Sequence, residues 1–163
     1  MTIPASVPVD GTRKVSFLSA VAAPAAVTAV EATAGKDLSC YLTGDGWQPT
    51  GDQAVVPDNR LCATQTFELP GRKTKSLSVR YVFNLDVPAD DEARIALAEG
   101  AKGYVLNRLQ VDSDDAYALG DWYELWPVTA GEPMVMPAEQ NAVDRIDQKL
   151  FVTGPVQKFK QLA

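Results

Sequence analysis

The chain has 163 residues, of which 46% are apolar and 22% charged. This is the composition of a folded chain with one core, and it excludes a wholly disordered, collagen-like or coiled-coil protein. Fifteen Lys and Arg against 21 Asp and Glu leave a net charge of −6, so the surface as a whole repels phosphate backbones and specific nucleic-acid recognition is disfavoured. Histidine is absent, which removes the commonest general acid/base, the usual partner of a Ser or Cys nucleophile, and the commonest metal ligand.

Residues 1–12, MTIPASVPVDGT, hold two prolines and no periodicity and read as an extended arm. Arg13 and Lys14 followed by VSFLSAVAAPAAVTAVEATAG imitate a secretion signal. The stretch lies too deep and is broken by Ser19, Pro24 and Thr28, so the cytoplasm is the default compartment. Apolar runs of about eighteen residues, long enough to cross a membrane, are missing. Val15 to Leu18 reads as a strand, followed by an Ala-rich connection to about Lys36. Leu38, Cys40 and Leu42 alternate with polar residues in a brief strand to Thr43. Residues 44–60, GDGWQPTGDQAVVPDNR, are rich in Gly, Pro and acidic or amide turn formers and read as a projecting loop with Trp47 on it.

The clearest strand runs from Leu77 to Asp86, with Leu77, Val79, Tyr81, Phe83 and Leu85 on one face. Thr64 to Leu69 is expected to pair with it in a hairpin turning through PGRKTK. Pro88 breaks the strand, Asp90 can cap a helix of about ten residues, and Gly100 stops it. Strands follow at Gly103 to Val111, Trp122 to Val128 and Val143 to Val152, the last ended by Pro155. Strands in hairpin-like succession predict a β-sandwich of antiparallel strands with one flanking α-helix.

Few residues suggest chemistry. Cys40 and Cys62 have no CxxC spacing and read as buried free thiols. Residues 86–124 hold ten acidic and three basic side chains, a local −7. Within them Asp112, Asp114 and Asp115 lack both the DxDxDG pattern and the bidentate Glu of a calcium loop, so a solvated acidic loop is favoured. Trp122 and Trp126 share a strand face and suit a core or subunit interface better than a ligand platform. GDGW satisfies neither a Walker motif nor a dinucleotide fingerprint. Arg72, Lys73 and Lys75 form a basic cluster that either ends a hairpin in solvent or meets the acidic segment of another subunit. No catalytic, metal or cofactor site is expected.

DLSCYLTGDGW at 37–47, DNRLCATQTFELPGR at 58–72, RYVFN at 80–84, KGYVLNR at 102–108 and KLFVTGPVQ at 149–157 together resemble the major tail protein of long-tailed, non-contractile phages of actinobacteria. The succession of these strings, rather than any one of them, makes the resemblance. It implies a structural virion protein and no enzyme: a small β-sandwich forming six-fold rings that stack into a hollow tube for genome delivery. The implied partners are further copies of itself, tape measure, tail terminator and distal tail proteins, and DNA passing without specific binding, with no membrane. Assembly would take place in the host cytoplasm. Trp47, Arg60, Arg72, Lys73 and Lys75 become candidates for subunit or ring-stacking contacts. Asp112, Asp114, Asp115 and Asp121 become candidates for an acidic lumen or subunit boundary. Another virion ring protein of similar fold, such as a tail terminator or head–tail completion protein, is the alternative.

Overall fold

The computed structural model describes residues 2–163, so Met1 of the expected arm lies outside it. Strand takes up 47% of the chain and helix 9%, which makes the protein mainly β. In chain order the elements are β1 (Arg13–Leu18), α1 (Ala29–Ala34), β2 (Lys36–Asp37), β3 (Leu42–Asp58), β4 (Phe67–Val82), α2 (Glu92–Ala96), β5 (Lys102–Leu109), β6 (Trp122–Val135), β7 (Arg145–Val152) and β8 (Gln157–Gln161). All eight strands belong to one antiparallel sheet in the order β2-β1-β5-β6-β7-β4-β3. β8 returns to the edge of β6 beyond the point where β7 leaves it: β7 pairs with Val128 to Val135, β8 with Trp122 to Leu125.

The sandwich is built by curling this one sheet until its two halves face each other. Trp47 of β3 and Trp126 of β6 are three places apart in the strand order, yet their rings meet edge to face with centroids 6.3 Å apart. Between the halves lies the main core, with Val15 and Phe17 of β1, Leu77, Val79 and Tyr81 of β4, Val105 of β5, Trp126 and Val128 of β6, and Ile146 and Leu150 of β7. α2 plugs one end of the roll through Ala93 and Leu97. There the buried Gln148 accepts a hydrogen bond from the Tyr81 hydroxyl (2.9 Å) and donates to the carbonyls of Leu97 and Gly131 (2.7 Å each), which satisfies an amide that would otherwise be costly to bury.

A smaller cluster covers the outer face of β5 and β6. Leu18, Leu106, Tyr123 and Leu125 lie there under Val27, Ala32 and Leu162. α1 lies within the stretch whose composition suggests only an Ala-rich connection, although its start is written in the sequence. Thr28 caps the helix and Glu31 reaches back to the Thr28 amide, a reciprocal capping box.

Several expectations are corrected. Residues 44–60 are not a loop. Leu42–Asp58 is one arm of a long β3–β4 hairpin, whose turn lies at residues 59–66 rather than at PGRKTK. Pro57 and Pro70 fit within these strands because β4 pairs with β7 only from Leu77 to Val82. Beyond that point the hairpin is a two-stranded ribbon with no third strand needing their missing N–H. The strand expected to reach Asp86 ends at Val82, where the register with β7 also ends, leaving Phe83 half-buried and Leu85 exposed. The helix expected to span about ten residues is five residues long, after a 3₁₀ turn at Pro88–Asp90. β8, beyond Pro155, was not foreseen. Both cysteines are free but exposed. The chain turns at residues 38–41, so Cys40 escapes the expected alternation, and Cys62 sits in the hairpin turn.

The fully buried Leu77 should therefore matter more than Phe83. Leu77→Ala is expected to cost about 2–5 kcal/mol and Phe83→Ala less than about 3, read from urea unfolding of the isolated subunit. Equal losses would contradict the observed end of β4.

Candidate functional site

Trp47 does not stand on a loop tip. It pairs with Val79 in the β3–β4 register, beyond a bulge in which residues 43–46 are looped out between Leu42↔Tyr81 and Trp47↔Val79. This bulge is what GDGW encodes. A Cβ on Gly46 would lie 2.2 Å from the Arg80 carbonyl oxygen, so only glycine allows the approach. Arg80 then ties the bulge to the sheet, donating to Asp45 at 2.6 Å and to Asp147 at 3.0 Å. A hydrogen bond from the Thr43 hydroxyl and the charge of Arg80 hold the Asp45 carboxyl below its usual range. Trp47 is thus a half-buried wall of the core whose setting is structural.

The basic candidates lie on the hairpin. Arg60, in its turn, donates to the carboxylate of Asp58 (2.9 Å). Arg72, Lys73 and Lys75 belong to β4, not to a turn. Strand alternation puts Lys73 and Lys75 on the same side as Leu77 and Val79, and Arg72 on the other. Where the hairpin leaves the body, Lys73 and Lys75 join Lys158 of β8, Trp126 and Pro49 to Gln53 around an open recess of about 330 Å³. The Lys158 ammonium lies 5.8 Å from the centre of the Trp126 ring. Burial, with the neighbouring ammonium groups of Lys158 and Lys73, holds Lys75 below its ordinary pKa, against the opposing charge of Glu124. Lys158 completes this cluster from 83 positions beyond Lys75, a partnership no local pattern announces.

The acidic candidates separate into two kinds. Asp121 is engaged within the subunit with Arg108, whose guanidinium is fully buried; the two lie 3.3 Å apart. Arg108 also donates to the carbonyls of Ala116 (2.9 Å) and Asp112, so residues 112–121 are folded around a single cation. Tyr117 completes the wrap, with its ring 5.1 Å from that guanidinium and its hydroxyl 2.6 Å from Ser16 Oγ. Burial pushes the Tyr117 phenol up to about 12. Asp121 is thereby an internal partner rather than a free lumen charge. Asp112, Asp114 and Asp115 are exposed, and among the described residues none of their carboxylates forms an ion pair. Asp86, Asp90, Asp91, Glu92 and Glu99 lie in or beside α2, at the opposite end of β5, and Glu124 lies in β6 opposite Asn107, so the local −7 is divided between separate parts of the molecule.

A second cleft, of about 530 Å³, runs between β1 and β3 and is lined by Val15, Cys40, Trp47, Asn107 and Glu124 among others. Among the described residues, no group of three His, Cys, Asp or Glu could hold a metal ion, and no helix is long and apolar enough to cross a membrane.

Removing the cation at the centre of the acidic loop tests this division. Arg108→Ala is expected to cost about 3–5 kcal/mol in urea unfolding. Asp114→Asn with Asp115→Asn should stay within about 0.5 kcal/mol of the parent. A comparable loss in both would place Asp114 and Asp115 in the structural network as well.

Solved structures share the fold, two of them from virus-like particles. The chain aligns with a component of the virion of a native gene transfer agent particle at TM-score 0.50 and 13% identity, covering 80% of this chain and 90% of that one. It aligns with a component of the anti-feeding prophage baseplate at TM-score 0.54 and 12% identity, covering 97% and 98%. No curated protein matches it in sequence. The model of the phage tail tube protein family matches residues 1–163, and the chain belongs to that family, as a structural component of a phage tail.

Proposed function

We propose that the subunit closes into six-fold rings and that these stack into the hollow tube through which a phage genome is delivered. The observation that carries this reading is the outer part of the β3–β4 hairpin. From about Gly51 to Asp58 and from Phe67 to Ser76 it is a two-stranded ribbon standing clear of the body. Val56, Leu69 and Phe67 share one face of it, and all are about half exposed; Leu61 in the turn is fully so. A ribbon of two strands has little stability of its own in water. Exposed apolar side chains at this density mark a surface that another molecule covers. A second copy is the natural cover, because a contact between two different patches of identical subunits propagates into closed rings and open-ended stacks.

Residues 2–9 are exposed and carry no regular structure, with Ile3, Val7 and Val9 open to solvent, and they are a second candidate for ordering on a neighbour. The net charge of −6 suits a conduit that must not hold the DNA sliding through it. On this reading the tube meets tape measure, tail terminator and distal tail proteins at its ends and centre, after assembly in the host cytoplasm.

The test is polymerisation followed by negative-stain imaging. The parent protein is expected to give long tubes; single rings would favour a tail terminator or head–tail completion protein instead. Val56→Asp with Leu69→Asp should leave the melting temperature of the isolated subunit unchanged while abolishing tubes. Normal tubes from that variant would overturn the role of the hairpin.

A further inference from the structure

The three lysines at the base of the hairpin form a site with more positive than negative charge, even with Asp52 in its lining and Glu124 close enough to act on Lys75. Lys73, Lys75 and Lys158 converge on the 330 Å³ recess, where the only carboxylate in the lining is Asp52. Among the described residues none of the three makes an ion pair, and unlike the scattered unpaired lysines Lys102, Lys149 and Lys160 these three share one recess. The register places Gly51 opposite Lys75 and Gln53 opposite Lys73, so neither lysine has an acid directly across from it, and Asp52 sits between them opposite Thr74. Trp126 lies in the wall, and its buried indole N–H has no acceptor among the described residues. The recess therefore sets three ammonium groups and an indole N–H against one lining carboxylate, an excess of positive charge. The same chain carries the complementary surface: exposed Asp112, Asp114 and Asp115 lie in the β5–β6 loop, held outward by the grip of Arg108 on that loop's backbone.

We infer that this lysine recess receives the acidic β5–β6 loop of a second copy of the chain. The contact rests on the assembly proposed above and gives it a specific charge-matched joint. It is heterologous, since the recess lies between β4 and β8 and the loop packs on β1 and β5, so one subunit offers a recess on one side and a loop on another. Charges arranged in this way fix register and reject wrong alignments more than they add raw affinity. The covered apolar ribbon supplies adhesion, and the lysine joint selects which neighbour and which rotation are accepted.

Charge reversal in matched pairs tests the joint. Lys75→Glu with Lys158→Glu, and separately Asp114→Lys with Asp115→Lys, should each raise the protein concentration needed for tube formation by about tenfold or more. All four changes in one chain should restore it to near the parent value. Circular dichroism and melting of each isolated variant establish that it is folded. Raised salt should weaken assembly of the parent and of the four-fold variant alike. The inference is overturned if folded variants of both pairs assemble as the parent does. It is also overturned if only the lysine pair matters, which would mean the recess takes some other anion, or if the four-fold variant is no better than the worse pair. Failure of the parent to form tubes or rings under any condition would instead overturn the assembly reading itself.

Discussion

One sheet has to supply both walls of its own core, and the edge-to-face contact between Trp47 and Trp126 is where that becomes possible. A flat sheet of these strands would leave the row from Val15 to Leu150 in water. Curling brings β3 over β6, and the two indoles close the gap. Such an aromatic pair contributes about 0.5–1.5 kcal/mol beyond its buried area, but its larger effect is geometric. Trp47 reaches Trp126 only because residues 43–46 bulge out of the ladder, which in turn needs Gly46 against the Arg80 carbonyl and Arg80 held by Asp45 and Asp147. The core and the buried Gln148 network at the other end depend on that one closure.

The parts of the fold legible in the sequence were those where a local pattern and a tertiary contact ask for the same residues. Leu77, Val79 and Tyr81 alternate as a half-buried strand and are buried as one, and β5 and β6 begin within a residue of the expected positions. Reading failed where local chemistry and long-range pairing disagree. Two prolines and three glycines in residues 44–60 read as a loop because proline and glycine usually interrupt a ladder. Here Gly44 and Gly46 shape a bulge, and Pro49, Gly51 and Pro57 sit on β3, the end strand of the sheet order, where the usual penalty does not arise. Phe83 and Leu85 continued the alternation but had no partner strand beyond Arg145, and without a ladder the pattern counted for nothing.

The surface residues were harder to read for a related reason. Asp121 and Asp114 look alike in sequence, yet one neutralises a buried guanidinium and the other is free. The difference lies in the direction of Arg108, which the strand fixes and composition does not record. Lys75 was visible as part of a basic cluster, but the member that shapes its surroundings is Lys158, brought in by β8 folding back along β6. Trp47 reads in sequence as part of a projecting loop, yet its ring packs on Trp126 in its own subunit, a contact between strands that no local pattern records.

The position of β1 in the sheet sets an order of events in folding. It lies between β2 and β5, pairing Arg13 with Leu109 and Leu18 with Tyr104, so an early strand waits for one that follows the whole hairpin and α2. Pairings this far apart in sequence are slow to form, because loop-closure entropy opposes them before any contact compensates. Until β1 docks, one edge of β5 is open and α1, which follows β1 directly, leaves the outer apolar face uncovered. A cell accumulating many copies at once therefore holds a population of half-closed sheets whose bare edges can pair with one another. The slower the N-terminal strand docks, the longer each new chain exposes that edge to its neighbours.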